Sequence, residues 1–139
     1  MQQPLYGLIG GKLGHSYSKI IHEKIADYTY ELLPLPTEAE ARTFMEKRAF
    51  AAINVTIPYK QFVIPYCDVV DPKAQAIGAV NTIVNRDGKL YGYNTDYAGF
   101  AYLAGAHGVD FAGILGYKRY LPTKIASRRS AATAGLRRF

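Results

Sequence analysis

Lys60 is the residue of this chain best placed to move a proton, because of what surrounds it in the sequence. Residues 51–57, AAINVTI, are apolar or β-branched apart from Asn54 and Thr56. These two positions have equal parity and share one face of a strand. Pro58 cannot continue a central strand but suits the first position of a helix, so the spacing predicts a first helical turn over Tyr59, Lys60 and Gln61. A helix N-terminus carries partial positive charge and disfavours an ammonium unless an anion is near. Lys60 therefore reads as a tunable acid or base beside two polar groups, or as a first-turn lysine that simply reaches into water.

Two other groups have chemistry to offer. Ser16 and Ser18 follow the glycines at 10, 11 and 14 and stand at the start of a helical pattern. A strand, a glycine turn and two hydroxyls make a cradle for one carboxylate, and serine is equally a favoured N-cap. The glycines at 7, 10, 11 and 14 contain no G-x-G step, so they do not form a dinucleotide fingerprint. Further on, Asp87-Gly88 is a two-residue hairpin turn, and the register it imposes puts Asn81 opposite Asn94. Asp96 then falls diagonally beside Asn81, which gathers an amide and a carboxylate at one end of a sheet. Asp96 also opens the helical run 97–104, where it reads equally well as an N-cap.

The elements that must hold these groups alternate along the chain. Strands are expected over Leu5–Ile9, Thr29–Leu35, 51–57, Gly78–Asn85 and Leu90–Asn94. Helices are expected through Ile20 to Ile25, after the capping-box pair Thr37 and Glu40, from Pro58, and from Asp71-Pro72 toward Ala76. This order argues an α/β fold with parallel strands and covering helices.

Composition narrows the function classes. The 139 residues have the size of one ordinary domain and the composition of a globular protein, and the sequence offers neither a basic-then-apolar leader nor an apolar run long enough to span a membrane. A cytoplasmic protein without a membrane partner is expected. Cys67 is the only cysteine, and His15, His22 and His107 stand at no metal-ligand spacing, so the chemistry is expected to be metal-free. The net charge of +6 invites a nucleic-acid reading. However, residues 1–112 hold ten Lys/Arg and eleven Asp/Glu, so the excess lies in 113–139, where Lys118, Arg119, Lys124, Arg128, Arg129, Arg137 and Arg138 meet no acid. Seven dispersed cations without an amphipathic period are a weak nucleic-acid signal, and no such partner is expected.

Four ordered motifs, HSYS at 15–18, NVTIPYK at 54–60, IGAVNTIV at 77–84 and GYNTDYAGF at 92–100, resemble the substrate-binding domain of the shikimate dehydrogenase family. The resemblance covers about the first 105 residues. It implies a twisted, largely parallel sheet flanked by helices, with the ligand at the strand ends. It further implies that Ser16 and Ser18 hold the carboxylate of shikimate or 3-dehydroshikimate, that Thr56, Lys60, Asn81 and Asp96 contact the ring hydroxyls, and that Lys60 and Asp96 form the catalytic pair. The chemistry suits these residue types, since oxidising a secondary alcohol moves a proton on oxygen while a hydride leaves carbon. Lys19 departs from the family pattern, which usually has proline there.

A larger departure follows. The family's complete enzymes use NADP on a separate doubly wound domain, and Ala112-Gly113-Ile114-Leu115-Gly116 resembles its opening until Tyr117-Lys118-Arg119-Tyr120 replaces the expected glycines. The expected organisation is a substrate-binding domain over 1–112 and an irregular basic tail over 113–139, a truncated or out-of-frame start of the cofactor domain. On this reading the chain is the substrate half of an NADP-dependent dehydrogenase, binds no cofactor by itself and does not turn over alone. The alternative is a stand-alone module that binds a shikimate-like ligand without catalysis.

Overall fold

The computed structural model describes residues 4–14 and 16–109. Its strands are β1 (Tyr6–Gly10), β2 (Tyr30–Pro34), β3 (Ala52–Val55), β4 (Val69–Val70), β5 (Thr82–Arg86) and β6 (Lys89–Tyr93). Its helices are α1 (Ser18–Ile25), α2 (Glu38–Lys47), α3 (Pro72–Ile77) and α4 (Thr95–Ala106). The chain divides into two units between Asp96 and Tyr97. The first holds the sheet and the core described below, and among the described residues the second contains the body of α4. The expected tail over 113–139 lies outside the described residues.

The six strands form one sheet in the order β2-β1-β3-β5-β6-β4. β1 pairs in parallel with β2 and β3, and β4 in parallel with β6, while the β5–β6 hairpin lies antiparallel within itself and against β3. The sheet is thus mixed, with the hairpin inserted between two parallel segments. β1 is central and buried from Gly7 to Gly10, as expected for a strand covered on both faces. The main core gathers Ile9, Met45, Ile53, Val63, Val80, Ile83 and Leu90, and Leu8, Leu13 and Tyr30 form a smaller cluster.

Local signals account for most boundaries. Thr37 accepts from the Glu40 N–H while the Glu40 side chain accepts from the Thr37 N–H, so the capping box starts α2 as expected. Asp71 accepts from the N–H groups of Lys73 and Ala74 and starts α3 ahead of Pro72. Asp87 and Gly88 both have positive φ, at 53° and 83°, which gives the hairpin the twist its strands require. Thr82 pairs with Tyr93 and Arg86 with Lys89, the register expected from that turn. Arg48, in the left-handed region after α2, pins the hairpin by donating to the Gly88 carbonyl at 2.7 Å and to the Asp68 carboxylate at 2.7 Å.

Among the described residues, one expected helix is absent and one strand is present that was not expected. Residues 57–63 form turns rather than a helix from Pro58, and only a short 3-10 stretch, Ile64–Tyr66, follows. Pro65 lies inside that stretch, where it has no N–H to give to an i−4 carbonyl and so does not extend the turns as an α-helix. Lys60 therefore does not stand at a helix N-terminus. The added strand is the two-residue edge strand β4, too short to leave a period in the sequence.

Candidate functional site

Strand ends, turns and the start of α4 bring the chemistry-bearing residues together. Asn54 lies in β3 and Thr56 just beyond it, with Val55, buried, pointing the other way. The Thr56 N–H donates to the Ile9 carbonyl at 2.9 Å, and the Gly11 N–H to the Ile57 carbonyl at 3.1 Å, so the ends of β1 and β3 are laced together. Gly10 is required there. A Cβ at that position would stand 2.6 Å from the Thr56 methyl and 2.8 Å from Leu13 Cδ2, so the bare backbone is what lets Thr56 sit against β1.

Asn81, only 6% exposed, precedes β5. Its N–H donates to the Tyr93 carbonyl at 2.9 Å, and its carbonyl accepts from the Val55 N–H at 2.8 Å, so its backbone is fixed by both neighbouring strands. Its side-chain oxygen accepts from the Thr95 N–H at 2.9 Å, and this bond ties it to the first turn of α4. Asp96, the next residue, places its carboxylate 2.5 Å from Lys60 Nζ. The lysine side chain is 32% exposed and the aspartate 62%, so the pair faces solvent and contributes at most about 1 kcal/mol to folding. An ion pair with little structural value at a cavity edge is a group available for other work.

Ser16 and Ser18 stand at the entry to α1. The helix has Tyr17 as its N-cap with no side-chain capping bond, while the Ser16 hydroxyl oxygen accepts from the Ser18 N–H at 3.3 Å. Capping thus engages Ser16 only in this local turn and does not use Ser18.

A cavity of about 580 Å³ is lined by Ser16, Ser18, Thr56, Lys60, Asn81 and Asp96. All the residues expected at the site meet there, although they are scattered along the sequence. The cavity falls within the size range of small-molecule sites. It is also lined by Lys12, His22, Asn54 and Thr95, which were not expected as site residues. Signals for three of them existed: Asn54 shares a strand face with Thr56, His22 lies one helical turn from Ser18, and Thr95 adjoins Asp96. Lys12 had no such signal. Since Lys60 is paired with Asp96, Lys12 leaves the lining with one positive charge in excess, which suits an anionic ligand. Among the described residues no group of three or more His, Cys, Asp or Glu side chains is arranged to hold a metal, and no helix is long and apolar enough to cross a membrane.

The lining brings together hydroxyls, amides, two ammonium groups and a carboxylate. That combination reads a small polyhydroxylated acid and can pass a proton to or from one of its oxygens. Residues 8–83 match the family described as "Shikimate dehydrogenase substrate binding domain". The chain is 44% identical over 116 residues to the "Shikimate dehydrogenase (NADP(+))" of Clostridium perfringens strain SM101, covering 78% of this chain and 43% of that protein. It is 44% identical over 115 residues to the protein of the same description from Chlorobium phaeobacteroides, covering 73% and 38%. The crystal structure of shikimate dehydrogenase 1 from Peptoclostridium difficile superposes with a TM-score of 0.69 at 35% identity, covering 78% of this chain and 43% of that one. The Thermus thermophilus shikimate 5-dehydrogenase in complex with NADP(H) and shikimate gives 0.67 at 36% identity, covering 76% and 43%. The chain spans about two fifths of the length of these relatives.

Proposed function

The chain belongs to the shikimate dehydrogenase family through its substrate-binding domain, and from that membership we propose that its cavity binds shikimate or 3-dehydroshikimate and presents one ring oxygen to Lys60 and Asp96. The observation that carries the reading is the convergence of the Lys60–Asp96 pair with Ser16, Ser18, Thr56 and Asn81 on one cavity. Residues 1–112 are the substrate-binding domain in this proposal. Ser16 and Ser18 take the carboxylate, with Lys12 adding charge nearby. Thr56, Asn81 and the catalytic pair take the ring hydroxyls.

Each group then has a task. Where a hydride acceptor is supplied to the ring carbon from elsewhere, the alcohol proton would pass to Lys60 Nζ as the carbon–oxygen bond gains double-bond character, and in the reverse direction the Lys60 ammonium would return it. Asp96 orients Nζ by accepting from it at 2.5 Å and balances the charge when it is protonated. The relatives are named as NADP enzymes, and in them the cofactor supplies the hydride acceptor or donor. The described residues do not fit that group: Gly10 packs against Thr56 and Leu13 instead of opening its backbone to a pyrophosphate, and the glycines after β1 lack the G-x-G step. These residues alone are therefore proposed to bind the ligand without holding a dinucleotide, and so without turnover. The single cysteine, a free thiol, fits a cytoplasmic setting.

Calorimetric titration of the purified chain with shikimate, beside an NADPH absorbance assay with shikimate and NADP, tests both parts. Binding without NADPH formation is expected. Absence of binding at millimolar shikimate removes the ligand assignment, and NADPH formation at an enzymatic rate removes the claim that turnover is absent.

A further inference from the structure

Beside the cavity runs a chain of hydrogen bonds whose direction is fixed at several points. The Thr95 backbone N–H is an obligate donor, so the Asn81 side-chain atom it meets at 2.9 Å is Oδ1. That oxygen also lies 3.0 Å from the Thr82 hydroxyl, which donates to it, and 3.1 Å from the Thr95 hydroxyl, which in turn accepts from Asn81 Nδ2 at 3.0 Å. The Thr82 oxygen in turn accepts from Asn54 Nδ2 at 3.1 Å, and the same Nδ2 faces the Asn81 backbone carbonyl, an obligate acceptor, at 3.5 Å. Asn54 Oδ1 is thereby left as an acceptor, and the Tyr30 hydroxyl donates to it at 2.7 Å. Tyr30 is 2% exposed and stacks on His22 with ring centroids 4.1 Å apart, and it is not part of the cavity lining.

We propose that Tyr30 is a positioning residue for the cavity: its hydroxyl terminates a one-way relay through Asn54 and Thr82 that holds the Asn81 amide in one orientation. The consequence concerns what Asn81 can read. Its Oδ1 accepts from the Thr95 N–H and the Thr82 hydroxyl, and one Nδ2 proton is given to the Thr95 hydroxyl at 3.0 Å, so what the side chain has to offer a ligand is the second N–H of Nδ2. A donor binds a ring oxygen whether that oxygen is a hydroxyl or a carbonyl, whereas an acceptor binds only the hydroxyl. The relay therefore lets one side chain hold the alcohol and the ketone of a reversible oxidation alike. Without the Tyr30 hydroxyl, the Asn54 amide loses the partner that fixes its Oδ1 end, and rotation of that amide removes the donor to Thr82 and loosens Asn81. This inference rests on the ligand class proposed above.

The test uses the whole chain with Tyr30→Phe, which keeps the ring and its stacking, and with Thr82→Val, which breaks the relay at a second link with little change in shape. Side-chain amide signals of Asn54 and Asn81 are followed by 15N NMR without ligand, and shikimate affinity is measured in wild type, in both single variants and in each variant combined with Asn54→Ala. Both variants are expected to shift the two amide signals and to weaken shikimate on the order of threefold to tenfold, the worth of one lost hydrogen bond. In the Asn54→Ala background the Tyr30→Phe loss should disappear, because the path through Asn54 is already cut. Unmoved amide signals in both variants overturn the relay, as does a Tyr30→Phe loss that persists undiminished without Asn54. If wild type itself fails to bind shikimate, the ligand assignment falls, and the amide signals alone decide the relay.

Discussion

Gly10→Ala is expected to damage the fold and the cavity together, and Gly105→Ala to damage neither. The added Cβ at position 10 would lie 2.6 Å from Thr56 Cγ2, 2.8 Å from Leu13 Cδ2 and 3.2 Å from the Ile57 carbonyl oxygen. Carbon atoms rest at about 3.5–4.0 Å, so Thr56 and Leu13 must each retreat by roughly 1 Å. Thr56 is β-branched and stiff about χ1, so its methyl cannot move without carrying its hydroxyl and backbone. Its N–H bond to Ile9 resists that movement. Overpacking of this kind costs about 1–3 kcal/mol, which in a unit of this size lowers Tm by about 4–8 °C per kcal/mol. Shikimate affinity should fall with it, because Thr56 lines the cavity. At Gly105, which does not line the cavity, nothing lies within 4 Å of an added Cβ, which makes it the internal control. Thermal melts and shikimate titrations of both variants check this. A Gly10→Ala protein that melts and binds like wild type, or a Gly105→Ala protein that is as badly damaged, refutes the packing argument.

Lys60→Ala should leave urea stability within about 1 kcal/mol of wild type, since its ion pair with Asp96 is partly exposed, while shikimate affinity drops by about tenfold or more as a charge-assisted hydrogen bond is lost; titration beside urea melts separates the two effects. Lys12→Gln should weaken shikimate but leave its methyl ester unaffected, and equal losses for both ligands would remove the charge argument for this residue. Asp68 is held below the usual carboxylate range by the Leu90 N–H and then by the Arg48 guanidinium. A depressed folded value means its stabilisation is present above the ordinary carboxylate range and is lost as pH falls through the lower folded value. Urea melts between neutral and acid pH should show that loss, and Asp68→Asn should remove its share of the slope.

Much of this architecture is legible from the sequence where one local interaction decides the geometry. Asp87-Gly88 takes two positive φ values that fix the hairpin register and so the placement of Asn81 beside the start of α4. Thr37 with Glu40 and Asp71 with Pro72 carry their own capping bonds. Legibility fails where tertiary context decides. Pro58 suits a helix start and a tight turn equally well, and no local signal beside it selects the turns seen over 57–63. The neighbours of β3 in the sheet were not readable either, because a hairpin can dock in either direction on a strand with the same apolar face. Within the site, Asn54 was visible as a polar break in a strand, but its use as a link between Tyr30 and Thr82 depends on contacts 24 and 28 residues away. Lys12 belongs to a glycine-rich turn whose path no period describes.

The central claim is that residues scattered from Ser16 to Asp96 form one pocket for a small hydroxylated carboxylate, and a shikimate titration followed by 15N–1H NMR tests it most directly. Saturable shifts should concentrate at Ser16, Ser18, Thr56, Lys60, Asn81 and Asp96, while the far end of the sheet around Asp87 and Gly88 stays unmoved. Shifts that fail to saturate, or that cluster at the hairpin turn and leave the Lys60–Asp96 pair untouched, would contradict it.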